Sequence, residues 1–196
     1  TTCPAVFSFP GQFRTNPAVH LLRALYYVSE RERGVGSKDR MIHALGNLAK
    51  LCPSSSVRSL AMRACNRYRS NAGNNFDPTT RRAAAATLRA IAVRASQHFK
   101  DGGKSDIWRT HVLPVAYLGR KDPDSEIASF WVDVWEEGGS VMRQFDTQSS
   151  VNRFGTRLEE QLLPYLVVEC VSALHDVSWS RRVFAAAVFI DLCDLG

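Results

Sequence analysis

The chain has no apolar run long enough to cross a membrane as a helix. Such a span needs about 18–20 consecutive apolar residues, and the longest candidate, 183–193, is broken by Asp191. Glycine and proline are modest, 12 and 8 in 196 residues, which excludes collagen-like and low-complexity chains. Cysteine is sparse and odd in number: Cys3, Cys52, Cys65, Cys170 and Cys193 never form a C-x-x-C pair. That argues against a disulfide framework or a zinc ribbon and points to free thiols in a reducing compartment. Acidic residues are scarce in one half only. Residues 1–100 carry 16 Lys/Arg against 4 Asp/Glu, whereas residues 101–196 carry 9 against 15. The net charge of +6 therefore hides a balance of +12 followed by −6, a polarity that speaks for a binding surface rather than for any fold.

The chemistry of catalysis is also thin. Gly103-Lys104-Ser105 has the end of a phosphate-binding loop, but the first glycine of that motif would fall on His98, and the segment before it has the period of a helix. His20, His43, His98, His111 and His175 stand alone, with no ligand spacing for a metal. Glu136-Glu137 and Glu159-Glu160 are adjacent pairs, which diverge by about 100° on a helix and suit a solvated face. No serine or cysteine has a base beside it in the sequence. The expectation is a protein that is not an enzyme and carries no cofactor.

What is present is helical periodicity. Val57, Leu60, Ala61, Ala64, Cys65 and Tyr68 form one stripe. Met41, Leu45, Leu48, Ala49 and Cys52 form another, as do Ala84, Leu88, Ile91, Ala92, Ala95 and Phe99. Ile127, Phe130, Trp131, Val134 and Trp135 mark a further helix, and Leu163, Leu166, Val167, Cys170, Val171 and Leu174 one more. Eight helices are expected, near 17–32, 38–51, 56–71, 78–99, 105–119, 123–137, 153–175 and 178–194. Asp77-Pro78 and Asp122-Pro123 each offer an N-cap carboxylate before a proline at the first helical position. Pro114 should kink the fifth helix.

These two joints lie 45 residues apart, and Arg81-Arg82-Ala83-Ala84-Ala85-Ala86 resembles Arg181-Arg182-Val183-Phe184-Ala185-Ala186. With an insertion at 138–150, both offsets fit one repeat of helix pairs in the length range of HEAT and armadillo arrays. The expected fold is all-α: an α-solenoid of about four HEAT-like helix pairs, with approximate repeats 15–52, 55–100, 105–138 and 152–195. The arginines should face outward at the start of each second helix. The chain opens Thr-Thr-Cys and ends on an apolar helix, so a piece of a longer solenoid is expected.

A family likeness rests on ordered blocks. Ala44-Leu45-Gly46-Asn47-Leu48-Ala49-Lys50 is followed by Asn66-Arg67-Tyr68, then by Asp77-Pro78 with Arg82-Ala83-Ala84, then by Phe99-Lys100. Val112-Leu113-Pro114-Val115-Ala116-Tyr117-Leu118-Gly119 and Phe130-Trp131-Val132-Asp133-Val134-Trp135-Glu136-Glu137 complete the series. This order resembles the C-terminal region of the proteasome adaptor and scaffold family, giant HEAT-repeat proteins. The likeness covers residues 38–137 and extends more loosely through Ser178-Trp179-Ser180-Arg181-Arg182; residues 1–37 and the 138–150 linker lie outside it. It implies a non-enzymatic scaffold, cytoplasmic and nuclear, that contacts the proteasome core or regulatory cap and links it to other components.

The residues themselves suggest where partners would bind. Arg58, Arg63, Arg67 and Arg69 with Arg81 and Arg82 form the candidate partner surface, in a stripe continued by Arg89 and Arg94. Aromatic residues do not interleave with it, so nucleic-acid binding should be weak and salt-sensitive. Trp131 and Trp135, at i and i+4, are expected to fill the packing between repeats or to form an interface. The alternative reading is a HEAT-repeat transport or nucleic-acid-associated module that works through the basic half.

Overall fold

A computed structural model describes residues 16–32, 34–70, 78–99, 106–149, 158–176 and 178–193. Among them there is no strand, and eight α-helices carry the chain. They are α1 (Pro17–Arg31), α2 (Val35–Ala49), α3 (Ser54–Ser70), α4 (Pro78–Arg94), α5 (Leu113–Gly119), α6 (Ser125–Ser149), α7 (Leu158–Leu174) and α8 (Trp179–Cys193). The fold is all-α.

Consecutive helices pack as pairs: α1 on α2, α3 on α4, α5 on α6 and α7 on α8. Across the pairs, α2, α4 and α6 lie side by side, while α7 meets α5. Helix α4 sits at the centre, against α1, α2, α3 and α6. Its sequence explains the position, since Ala83 to Ala86, Ala90 and Ala92 are all buried and keep the helix slim enough to be approached from every side. One large core runs through all the helix pairs, and a small second cluster of Ile42, Ala86 and Ala90 under Phe130 lies between α2, α4 and α6. Gly46 lets α2 reach α4: a Cβ there would lie 2.8 Å from the Ala90 carbonyl oxygen.

Proline is handled locally. Pro78 and Pro17 each open a helix, where the missing N–H costs nothing. Pro114 has no N–H for the Thr110 carbonyl, and the chain adapts with a π-helical turn, Trp108–Val112, that runs straight into α5. The expected kink is thus a local widening.

Four expectations need correction. The helix predicted to reach residue 99 ends at Arg94, and a 3-10 turn, Ser96–Phe99, follows. The expected 138–150 linker is helical to Ser149, because α6 continues through Gly138 and Gly139, both buried. A Cβ on Gly138 would come within 2.8 Å of Leu113 Cδ2, so the glycine serves helix packing rather than a break. Helix α6 is capped by Asp124, whose Oδ1 accepts the backbone N–H groups of Glu126 and Ile127, and not by Asp122. On α7 the buried apolar residues are Leu162, Leu166, Cys170 and Ala173, with Glu169 beside them, whereas Leu163 and Val171 from the predicted stripe are exposed. That helix is apolar on all sides, so its sequence does not mark which side faces inward. Asp77 lies outside the described residues.

Candidate functional site

The two family-like blocks meet. Gly119 ends α5 directly beneath the Trp131 indole, and the Tyr117 ring lies 4.9 Å from that of Trp135, inclined at 58°. Trp131 and Trp135 are both buried, so neither offers surface. Tyr68 of α3 meets the Trp131 ring edge-on at 4.7 Å. These residues build a joint between helices.

Behind that joint lies a buried ion pair. Arg81 and Asp122 have side chains 3% and 1% exposed, with Nη1 at 2.6 Å from Oδ2. The Tyr68 hydroxyl donates to the same oxygen at 2.7 Å. Burial, reinforced by the Asp122 charge, pushes the Tyr68 phenol well above its ordinary pKa, so it remains a donor. A second network follows: Arg69 holds Glu169 through two hydrogen bonds, and Arg181 reaches Glu169 at 3.3 Å and Asp176 at 2.7 Å. Between the networks is a cavity of about 20 Å³ lined by Tyr68, Arg81, Asp122, Glu169 and Arg181. That is room for one water and no substrate.

This placement decides which predicted arginines can meet a partner. Arg81 was expected on the surface; it is buried, because Asp122, between α5 and α6, gives its charge a partner. Arg82 is committed to Glu126 on α6, with two short hydrogen bonds that raise its pKa, and lies 3.4 Å from Asp39 on α2. Arg89 pairs through its Nε with Asp133 of α6. Arg69 is half-buried against Glu169. Arg67 lies 3.3 Å from the buried Glu30 of α1. Arg58 is half-buried. Only Arg63 is exposed and, among the described residues, without an acidic partner; its guanidinium stands 5.7 Å from the Tyr26 ring. Arg94 lies across Gly46 beside a groove of about 320 Å³ on α2, α4 and α6, lined also by Asp39, His43 and Phe130.

One groove-lining arginine is not part of the stripe expected from the sequence. Arg23 of α1 faces Arg63 of α3 across a groove of about 190 Å³, lined also by Tyr26, Ser56, Ser59 and Leu60. The available signal was composition: α3 contains four arginines and no acid, and α1 contains one acid, Glu30, which is buried.

His98 is buried, with Nε2 at 2.8 Å from the Ala49 carbonyl and Nδ1 at 3.0 Å from the Ser54 hydroxyl. The carbonyl requires a proton on Nε2, so in the neutral ring Nδ1 accepts from Ser54. His98 thereby ties the end of α2 to the start of α3, and its own carbonyl accepts from the Trp108 indole at 3.1 Å. Gly103, Lys104 and Ser105 lie outside the described residues. Among those described, no three His, Cys, Asp or Glu side chains could hold a metal ion, and no helix is long and apolar enough to cross a membrane.

Burial pushes the Cys65 and Cys170 thiols up to about 12. At pH 8 their thiolate fraction is then about 10⁻⁴, too little for nucleophilic chemistry. Native alkylation should modify the exposed Cys193 and spare Cys65 and Cys170 until denaturant is added, as followed by peptide mass spectrometry. Equal labelling of Cys65 and Cys193 in the native protein would contradict this burial.

Comparison with family models, with curated proteins and with solved structures finds no match to this chain.

Proposed function

We propose that the chain is a non-enzymatic scaffold segment, a superhelical stack of HEAT-like helix pairs that associates with the proteasome core or cap and links it to other components in cytoplasm and nucleus. The observation that carries the reading is the α5–α6 joint. The residues of the family-like blocks are those that interlock, with Gly119 beneath Trp131 and Tyr117 on Trp135. Such a stack presents long surfaces to partners and needs no catalytic site.

Two surfaces support partner binding. Helices α7 and α8 expose Val168, Val171, Trp179, Val183 and Ile190, an apolar character typical of interaction sites. The α1/α3 side carries Arg23 and Arg63, which have no carboxylate partner among the described residues. The structure also alters the mutational test. Reversing Arg69 or Arg81 would break internal ion pairs, so the informative reversals are Arg23→Glu and Arg63→Glu. In the full-length protein they should lower proteasome co-purification several-fold at unchanged helicity, because rim charges steer an interface. Unchanged recovery, repeated after deletion of residues 38–137 from a still-folded parent, would leave this segment no part in the association.

The alternative module, one that binds phosphate or acidic cargo through the basic half, is favoured by the same carboxylate-free groove. Its electrostatic binding to nucleic acid should be weak and should fall steeply between 50 and 200 mM salt, roughly as counterion release dictates. Filter binding across that range measures it. Sub-micromolar, sequence-selective binding near physiological salt would displace the scaffold reading.

A further inference from the structure

Several arginines of this protein are paired inside the fold, among them Arg67, which lies 3.3 Å from Glu30. Arg69, Arg81, Arg82, Arg89 and Arg181 each have a carboxylate within 3.5 Å, and their charges are consumed in holding helices together. Arg23 and Arg63 have none among the described residues, yet both line one groove. The groove exists because α1 leans on α2 and α4 while α3 packs on α4, which leaves the outer sides of α1 and α3 apart. Its lining includes the buried Tyr26 and Leu60, and the Tyr26 ring lies 5.7 Å from the Arg63 guanidinium. Its wall carries the hydroxyls of Ser56 and Ser59, which make no hydrogen bond among the described residues. Glu30, a neighbour of the Tyr26 hydroxyl, is buried and faces Arg67.

We infer that this groove is a binding site for a phosphoryl group on a flexible segment of a protein partner. Two arginines and two serines line a volume of about 190 Å³ with no acid in the lining. A phosphorylated side chain brings close to two negative charges and three strong acceptor oxygens, which matches that donor set. The larger groove on α2, α4 and α6 lacks this character, since Asp39 lines it and Asp133 already neutralises Arg89. A nucleic acid is the weaker fit, because the groove exposes no aromatic face on which a base could stack: Tyr26 is 1% exposed. The site is a pocket for one group rather than a track for a backbone.

The inference rests on the reading of the chain as a protein-binding module. The test is a fluorescence titration of the full chain with a neutral peptide bearing one phosphoserine, with its unphosphorylated twin, with inorganic phosphate as competitor, and with a single-stranded oligonucleotide of equal length. The phosphopeptide should bind at least tenfold tighter than its twin and be displaced by phosphate. Arg23→Gln with Arg63→Gln should weaken it roughly 10- to 100-fold, as expected for loss of two charge-assisted contacts. A control of equal charge loss, Arg31→Gln with Arg40→Gln, should change it less than about threefold. Ser59→Ala, at an exposed position that folding tolerates, should weaken it about threefold. Equal affinity for both peptides, or equal weakening by the double variant and its control, would overturn the proposal. Tighter binding of the oligonucleotide, lost in the double variant, would replace it with a nucleic-acid site. Proteasome capture is a separate measurement, so its failure removes the scaffold reading and a failed titration removes only this site.

Discussion

Replacing Gly119 by alanine should destabilise the protein by about 3 kcal/mol or more. Helix propensity alone predicts the opposite sign, since alanine is favoured over glycine by about 1 kcal/mol inside a helix. Packing decides against it. A Cβ at Gly119 would overlap Trp131 Cδ1 and Cγ and approach Cδ2 to 2.8 Å. Trp131 is fully buried and held from the other side by Tyr68, so the indole cannot move away without opening the α5–α6 joint. Overpacking of a rigid core costs about 1–3 kcal/mol and sometimes more, and the closeness of this overlap places it at the upper end. Urea unfolding followed by circular dichroism measures the loss. Trp131→Leu should itself cost a few kcal/mol but remove most of the penalty at Gly119, so the double variant should be more stable than the two losses added. Equal stability of Gly119→Ala and the parent would show that the two blocks do not interlock.

Breaking the buried ion pair from one side should cost about 3–5 kcal/mol. Asp122→Leu leaves the Arg81 guanidinium, 3% exposed, without its carboxylate, and leaves the Tyr68 hydroxyl without its acceptor. A buried charge stripped of its partner is costly, whereas replacing both charges by apolar groups of similar volume is often neutral. Arg81→Met combined with Asp122→Leu should therefore recover most of the loss. The cycle is read from denaturation midpoints at constant slope. A double variant as unstable as the sum of its parts would mean that the two charges act independently.

The helices were legible in the sequence because their apolar stripes recur with a sharp period. The stripe from Val57 to Tyr68 and that from Ala84 to Ala95 face inward as expected. Boundaries were less legible where a residue's role depends on a distant partner. Gly138 and Gly139 resemble a helix end, and only the position of Leu113 shows why glycine is required inside α6. Arg81 and Arg82 open the same helix, yet one is buried because Asp122 folds over it and the other bridges to Glu126. Nothing local to the arginines announces either carboxylate, which lie 41 and 44 residues further along the chain. The candidate groove was half legible: Arg63 was one of six arginines expected to form a partner surface, but Arg23 becomes its companion only through the packing of α1 on α4.

The central claim, association of this segment with the proteasome, is tested most directly by binding to purified particles. Immobilised full chain should be incubated separately with purified proteolytic core and with purified regulatory cap, and the retained subunits identified. Retention of one particle at sub-micromolar concentration, reduced several-fold by Arg23→Glu with Arg63→Glu, is the predicted result. Retention of neither particle by a chain whose helicity is intact would contradict the account.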